Sequence, residues 1–217
     1  MSSALRILDW GRVAYDEALA RQQALCEARR RGEIPDTLVF CEHPETYTLG
    51  SRPGAEKHLL LSSDDMTRRG IGLHKVSRGG DITAHNPGQV VGYAIVDLDG
   101  RGRDLHLFLR DLEQVVVGTL CSLGLDAERR DGKTGVWVGG GTRKIAAIGV
   151  AARSWVTYHG FALNANNDLA FFGHIVPCGI AARDGTVTSL AAEFGREVDL
   201  SGVKALLAAE FGRVFGR

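Results

Sequence analysis

The stretch RKIAAIGVAARSWVTYHGFALNA, Arg143 to Ala165, decides the class of fold. It contains two runs, RKIAAIGVAA and WVTYHGFALNA, rich in β-branched, aromatic and small apolar residues, with no helical segment between them. With GVWV just upstream, Gly135 to Val138, they read as consecutive strands. Helical patterning lies outside this block. From Asp104 the spacing of Leu105, Phe108, Leu109, Leu112, Val116, Leu120 and Leu123 is that of an amphipathic helix, and Leu200 to Phe215 repeats it with Val203, Leu207, Phe211 and Val214. Nearer the start, RILDW reads as an opening strand, and YDEALARQQALCEARRRGEIPD as a charged helix ending near Gly32 and Pro35. TLVFCEH and VVGYAIVDL read as further strands. Strands in runs, flanked by separate helices, predict an α+β fold: a mixed or antiparallel sheet with helices packed on it.

At 217 residues the chain suits a single domain, residues 1–217. The 26 basic residues balance the 26 acidic ones, so no charge excess points to nucleic acid or to a membrane surface. No basic segment followed by an apolar run opens the chain, and no run approaches a bilayer span, so a cytoplasmic protein is expected. Its four cysteines, Cys26, Cys41, Cys121 and Cys178, are scattered without a CxxC pair, which predicts reduced thiols. The seven histidines show no metal-binding spacing, so no metal is expected.

Three segments carry chemistry. RGGDITAHNPGQ, Arg78 to Gln89, has neither helical nor strand periodicity. Its paired glycines let a main chain approach a ligand, and Pro87-Gly88 makes a turn, so it reads as an irregular loop lining a pocket or as a tight connection. VGGGTRK, Val138 to Lys144, fails as a phosphate loop because Arg143 and Ile145 flank the lysine where glycine and Ser or Thr are required. Lys144 instead opens the apolar run KIAAIGV, where its ammonium either snorkels from a strand end or meets an anionic partner. In FFGHIVPCGI, Cys178 stands between Pro177 and Gly179, where its thiol is either inert or projected from a turn. Cys26, Cys41 and Cys121 fall inside regular elements and read as inert.

Taken together, RGGDITAHNPGQVVGYAIVDL, KIAAIGV, HGFALNA, IVPCGI and VTSL resemble, in order, the motifs of the octanoyltransferases of lipoate biosynthesis, the lipoyl(octanoyl) transferases. IPDTLVFCEHPETYTLG and GKTGVWV extend the likeness, which spans about residues 13 to 195. Ala84 and Asn86 depart from it, standing where an aromatic residue and a glycine are usual.

The resemblance implies the fold of the biotin and lipoate protein ligases. It also implies transfer of octanoyl from acyl carrier protein to a lysine of a lipoyl domain, through a cysteine thioester and without ATP. The acceptors would be the lipoyl domains of 2-oxoacid dehydrogenase complexes and the H protein of glycine cleavage. No cofactor is implied beyond the phosphopantetheine that brings the acyl group, and neither nucleic acid nor membrane is a partner. By resemblance Cys178 carries the acyl group, and Lys144 lowers the pKa of that thiol and shuttles protons. Substrate contacts fall by resemblance on Arg78, Gly79, Gly80, Asp81, Ile82, Thr83, Ala84 and His85, on Ala147, Ile148 and Gly149, and on Gly160, Phe161 and Ala162, with the Phe161 ring as apolar wall. Arg78 is expected chiefly to fix its loop, and Arg129, Arg130, Lys133 and Arg143 to form a docking patch for an acidic carrier. Two rivals share parts of this pattern. An ATP-dependent lipoate ligase needs the lysine but no cysteine, and a non-catalytic carrier-binding module needs neither.

Overall fold

The structure, a computed structural model, describes residues 5–176 and 185–216. In chain order it contains β1 (Arg6–Arg12), α1 (Tyr15–Arg30), β2 (Thr37–Glu42), β3 (Thr46–Leu49), α2 (Ser63–Arg69), β4 (Gly72–Lys75), β5 (Ile82–His85) and β6 (Gln89–Ile95). There follow α3 (Leu105–Ser122), β7 (Ala127–Arg130), β8 (Lys133–Val138), β9 (Arg143–Arg153), β10 (Val156–Asn164), β11 (Thr186–Val187), α4 (Leu190–Phe194) and α5 (Leu200–Phe215). The helix ends follow local chemistry. Asp16 and Glu17 open α1 and Arg29 and Arg30 close it, matching the signs of the helix dipole. The Asp104 carboxylate caps α3 by accepting from the His106 and Leu107 amides, and Asp199 caps α5 in the same way.

The main sheet runs β1-β2-β6-β10-β9-β8-β7, with β11 added to β9. β1 is parallel to β2, while β2, β6, β10, β9, β8 and β7 pair antiparallel in turn, so the sheet is mixed, as expected. Its two faces are covered differently. On one, α3 and α5 bury the largest cluster, with Phe108, Leu112 and Val116 of α3 and Val203, Leu207 and Phe211 of α5 packed over Leu38, Val90, Ala146 and Leu163. On the other, α1 lies over β6 and β10. There Val39, Cys41, Val91, Tyr93 and Ala162 form a smaller cluster with Ala18 of α1. A second sheet, β4-β3-β5, stands beside α1, where Tyr15 stacks on His74 of β4 and His85 of β5. Among the described residues no helix is long and apolar enough to cross a membrane.

One expectation needs correction. The segment Arg78 to Gln89 is not irregular throughout, because Ile82–His85 is the strand β5, antiparallel to β3. Ile82 and Ala84 turn into an apolar cluster with Tyr47 and Phe171, and Thr83 and His85 turn the other way.

Candidate active site

Strand β9 positions the site through a change of face and a change of partner. The pairs Trp137↔Lys144 and Val136↔Ala146 leave Ile145 as an extra residue, a β-bulge. Ile145 and Ala146 both point into the helix-side core, so Lys144 is turned to the side of Ala147 and Gly149. β8 pairs no further than Ala146, and beyond it the edge of β9 lies open. The Gly79 amide reaches that edge and donates to the Val150 carbonyl at 3.0 Å. A Cβ on Gly149 would lie 3.0 Å from both the Gly79 oxygen and Arg78 Cδ, so the loop settles this closely only over glycine.

A cavity of about 270 Å³ lies along this edge. Its lining includes Lys144 and Trp137 and also Tyr15, His85, Tyr93 and His159, and the β9 partner of His159, Val150, lies six residues along the strand from Lys144. The Lys144 ammonium sits 5.5 Å from the centre of the Trp137 ring, which takes Arg130 at 5.1 Å as well. Gly135, at φ 123°, passes so close that a Cβ would meet Lys144 Cε at 2.6 Å. Its amide donates to Glu113, a carboxylate of α3 buried completely and paired with Arg110 at 2.6 Å. Glu113 thus ties the helix layer to the wall behind Lys144.

Of the expected site residues, Lys144, Arg78, Gly79, Gly80, Asp81, Thr83, His85, Ala147, Ile148, Gly149, Gly160, Phe161 and Ala162 line the cavity. Ile82 and Ala84 do not, since β5 presents them to its apolar side. Phe161 lines the cavity while its ring packs in the helix-side core over Gly92, where a Cβ would fall 2.2 Å from Cζ. Cys178 lies outside the described residues. Its flanks are tied beside the cavity: the Val176 amide donates to the His58 carbonyl at 2.8 Å, and Val187 pairs in register with Lys144.

Arg78 holds its loop, as expected, donating to the Thr48 carbonyl and hydroxyl, both at 2.8 Å. Asp81 has a structural part as well, since its buried carboxylate accepts from the Ile82 amide and faces His58 at 2.8 Å. The expected docking patch is reduced, because Arg143 forms a two-pronged pair with Glu193 at 2.8 and 2.9 Å while Arg130 lies over Trp137. The three described cysteines stand as free thiols in regular elements. Burial pushes Cys26 up to about 12 and raises Cys41 strongly, and Cys121 is exposed on α3. Sequence reading did not single out Tyr15, Tyr93, Trp137 or His159. Tyr15 sits in a helix whose pattern looked purely structural, and the other three lie in strands read for the fold or for neighbouring residues.

The inner wall is a set of neutral rings. His43 Nδ1 donates to the Val13 carbonyl at 2.8 Å, which leaves Nε2 to accept from the Tyr93 hydroxyl at 2.6 Å. His85 Nδ1 meets Gln89 Oε1 at 2.8 Å and must be the donor. Burial, then His43, pushes His85 down to about 3, and burial, then Arg78, does the same to His159. Burial lowers His43 also. In the unfolded chain all three protonate near pH 6.5. Their contribution is therefore intact above about pH 6.5 and is lost as pH falls below it, down to about 3 for His85 and His159. Denaturant titrations at pH 7 and pH 5 are expected to differ by about 2 kcal/mol for each of His85 and His159. A double His85→Gln, His159→Asn variant is expected to flatten that slope.

Comparison with known proteins identifies relatives across nearly the whole chain. The model of the lipoyl protein ligase A/B catalytic domain matches residues 14–212. An octanoyltransferase of Geobacter metallireducens is 44% identical over 207 residues, covering 95% of this chain and 92% of that protein. One of Christiangramia forsetii is 48% identical over 194 residues, covering 86% and 82%. The bipartite lipoate protein ligase of Thermoplasma acidophilum, studied with its E2 lipoyl domain, superposes with a TM-score of 0.75 at 20% identity, covering 98% of this chain and 84% of that one. A lipoate-protein ligase A bound with ATP gives 0.75 at 20% identity, covering 99% and 85%. A biotin protein ligase of Aquifex aeolicus gives 0.53 at 11% identity, covering 98% and 69%. At these identities the solved structures establish the shared fold.

Proposed function

Since the chain belongs to the octanoyltransferases of the lipoyl protein ligase A/B catalytic-domain family, and is therefore an acyltransferase, we propose that it draws octanoyl from the phosphopantetheine thioester of an acyl carrier protein and passes it, through a thioester on Cys178 and without ATP, to a lysine of a lipoyl domain. The observation that carries this reading is the placement of Lys144. A bulge turns its ammonium into the cavity, and the strand returning from the Cys178 segment pairs beside it. The state of the other cysteines supports the choice of Cys178: two are buried with raised pKa values, and the third lies on a helix of the opposite layer.

The steps balance without a cofactor. The Cys178 thiolate attacks the thioester carbonyl, its sulfur–carbon bond forms, and the pantetheine sulfur leaves with the proton of the Lys144 ammonium. Lys144, now a neutral amine, takes a proton from the incoming lysine ammonium and frees the lone pair with which that lysine attacks the acyl-enzyme. The amide bond forms, the Cys178 sulfur leaves as thiolate, and the amide nitrogen gives up its second proton to solvent, which restores the Cys178 thiolate and the Lys144 ammonium. A thioester is already activated toward amines, so the protein supplies a nucleophile, a base and alignment. The Gly80 backbone and the edge of β9 line the same cavity as Lys144, so they are the places to seek donors for the oxygen that gathers charge.

Intact mass measured after mixing the protein with octanoyl-carrier protein and no nucleotide tests the proposal. The expected result is a single octanoyl adduct, released by hydroxylamine, mapped to Cys178 and absent from Cys178→Ala. An adduct that requires ATP, or one that persists in Cys178→Ala, would overturn it.

A further inference from the structure

The inner end of the cavity is polar where an acyl tail would end, and His159 is the reason. Strict alternation along β10 would place His159 on the helix side with Phe161, yet it lines the cavity. Its backbone makes this possible: φ is +61°, a left-handed value rarely taken by a side-chain-bearing residue, and its amide is turned to Gln22 Oε1 of α1 at 2.9 Å. A histidine held in such a conformation inside a strand is strained, so its position is over-determined by what surrounds it. The residue is 2% exposed, and among the described residues its Nε2 atom has no hydrogen-bond partner. A buried ring nitrogen left in that state costs free energy until a polar group reaches it. Around it, Tyr15, His85, Tyr93 and Arg78 bring further polar atoms to the same end of the cavity.

The distances suit an acyl ruler. His159 pairs with Val150, and from Lys144 to Val150 an extended strand rises about 20 Å. A lysine side chain reaches about 6 Å and an extended eight-carbon chain about 10 Å, so the two account for most of that length. We propose that His159 sets the acyl chain length: its Nε2 takes a hydrogen-bonding group at the floor of the cavity, and an octanoyl methyl stops against that floor. A longer alkyl chain must displace that group and leave the imidazole nitrogen facing methylene. The proposal rests on the reading of this cavity as the acyl site.

The test uses octanoyl, decanoyl and 10-hydroxydecanoyl thioesters of pantetheine, with transfer to a lipoyl domain followed as kcat/KM. His159→Gly keeps the left-handed backbone free of strain and removes the ring, and His159→Asn keeps both that conformation and a polar group. The ratio of decanoyl to octanoyl is expected to rise about tenfold in His159→Gly, the worth of burying two methylenes in apolar space, and to stay within about threefold of the wild type in His159→Asn. The wild-type enzyme, with no question of folding, is expected to use 10-hydroxydecanoyl several-fold better than decanoyl, because the hydroxyl supplies what Nε2 needs. An unchanged ratio in a folded His159→Gly protein overturns the assignment. So does a wild-type preference for decanoyl over its hydroxylated form. Failure of the wild type to transfer octanoyl from any thioester counts against the transfer reading itself, a result readily told from a loss of chain-length discrimination.

Discussion

Lys144→Met is expected to fold and to lose both half-reactions, while Lys144→Arg keeps part of the first and loses the second. Stabilising a thiolate requires a nearby positive charge, which arginine also provides. Discharging the acyl-enzyme requires a group that can accept a proton, and a guanidinium stays protonated at any working pH. The surroundings of Lys144 favour this separation, since Trp137 offers a ring face to a cation and guanidinium stacks on such faces as well as ammonium does. Removing a positioned acid–base group costs about 10²–10⁴-fold in rate. Single-turnover measurements are the check: alkylation of Cys178 and acyl-enzyme formation report the first function, and discharge to a lipoyl domain reports the second. Lys144→Met is expected to fall by about that factor in both, and Lys144→Arg chiefly in discharge. Wild-type discharge in a folded Lys144→Arg protein would show that the proton goes elsewhere.

Gly135→Ala is the second large effect. The residue sits at φ 123°, and a Cβ there would lie 2.5 Å from the Ala146 carbonyl oxygen and 2.6 Å from Lys144 Cε. The oxygen belongs to a strand in the middle of the sheet and has little freedom to move, so either β8 shifts or the lysine does. Backbone strain and overpacking together are expected to cost about 2–4 kcal/mol. The functional loss should exceed what partial unfolding explains, because the clash falls on the lysine stem. Thermal melts give the stability change. Cys178 alkylation well below the melting transition gives the displacement of Lys144, and wild-type alkylation there would mean that β8 moved and the lysine stayed.

Elements with one dry face were legible in the sequence. The helices from Leu105 and Leu200 and the strands around RKIAAIGVAA and WVTYHGFALNA announce themselves because a packed core repeats with the period of the element. β5 was not legible: Thr83 and His85 face a cavity and read as loop, so the alternation of Ile82 and Ala84 was masked. Glu113 was hidden for the opposite reason, since nothing in an amphipathic pattern announces a carboxylate that enters the core to bind the Gly135 amide. Within the site the chain segments were readable and the facing of side chains was not. One bulge at Ile145 brings Lys144 to the cavity, ordinary alternation sets the Phe161 ring in the helix-side core, and a left-handed His159 breaks that alternation two residues earlier.

The strand order also bears on when the cavity forms during folding. β7, β8 and β9 each pair with their successor in the chain, so this half of the sheet, from β7 to β10, closes only short loops. β6 must find β10 across all of α3 and three strands, and Gly79 reaches Val150 only once that distant pairing exists. Short loops close early and long ones late, because the chain entropy lost before any contact is gained grows with separation. The meander is therefore expected to form first and the Arg78–Gly80 loop to dock last. Substitutions in this loop should leave the folding rate nearly unchanged and appear as faster unfolding, which makes the lifetime of the folded protein most sensitive to residues that line its cavity.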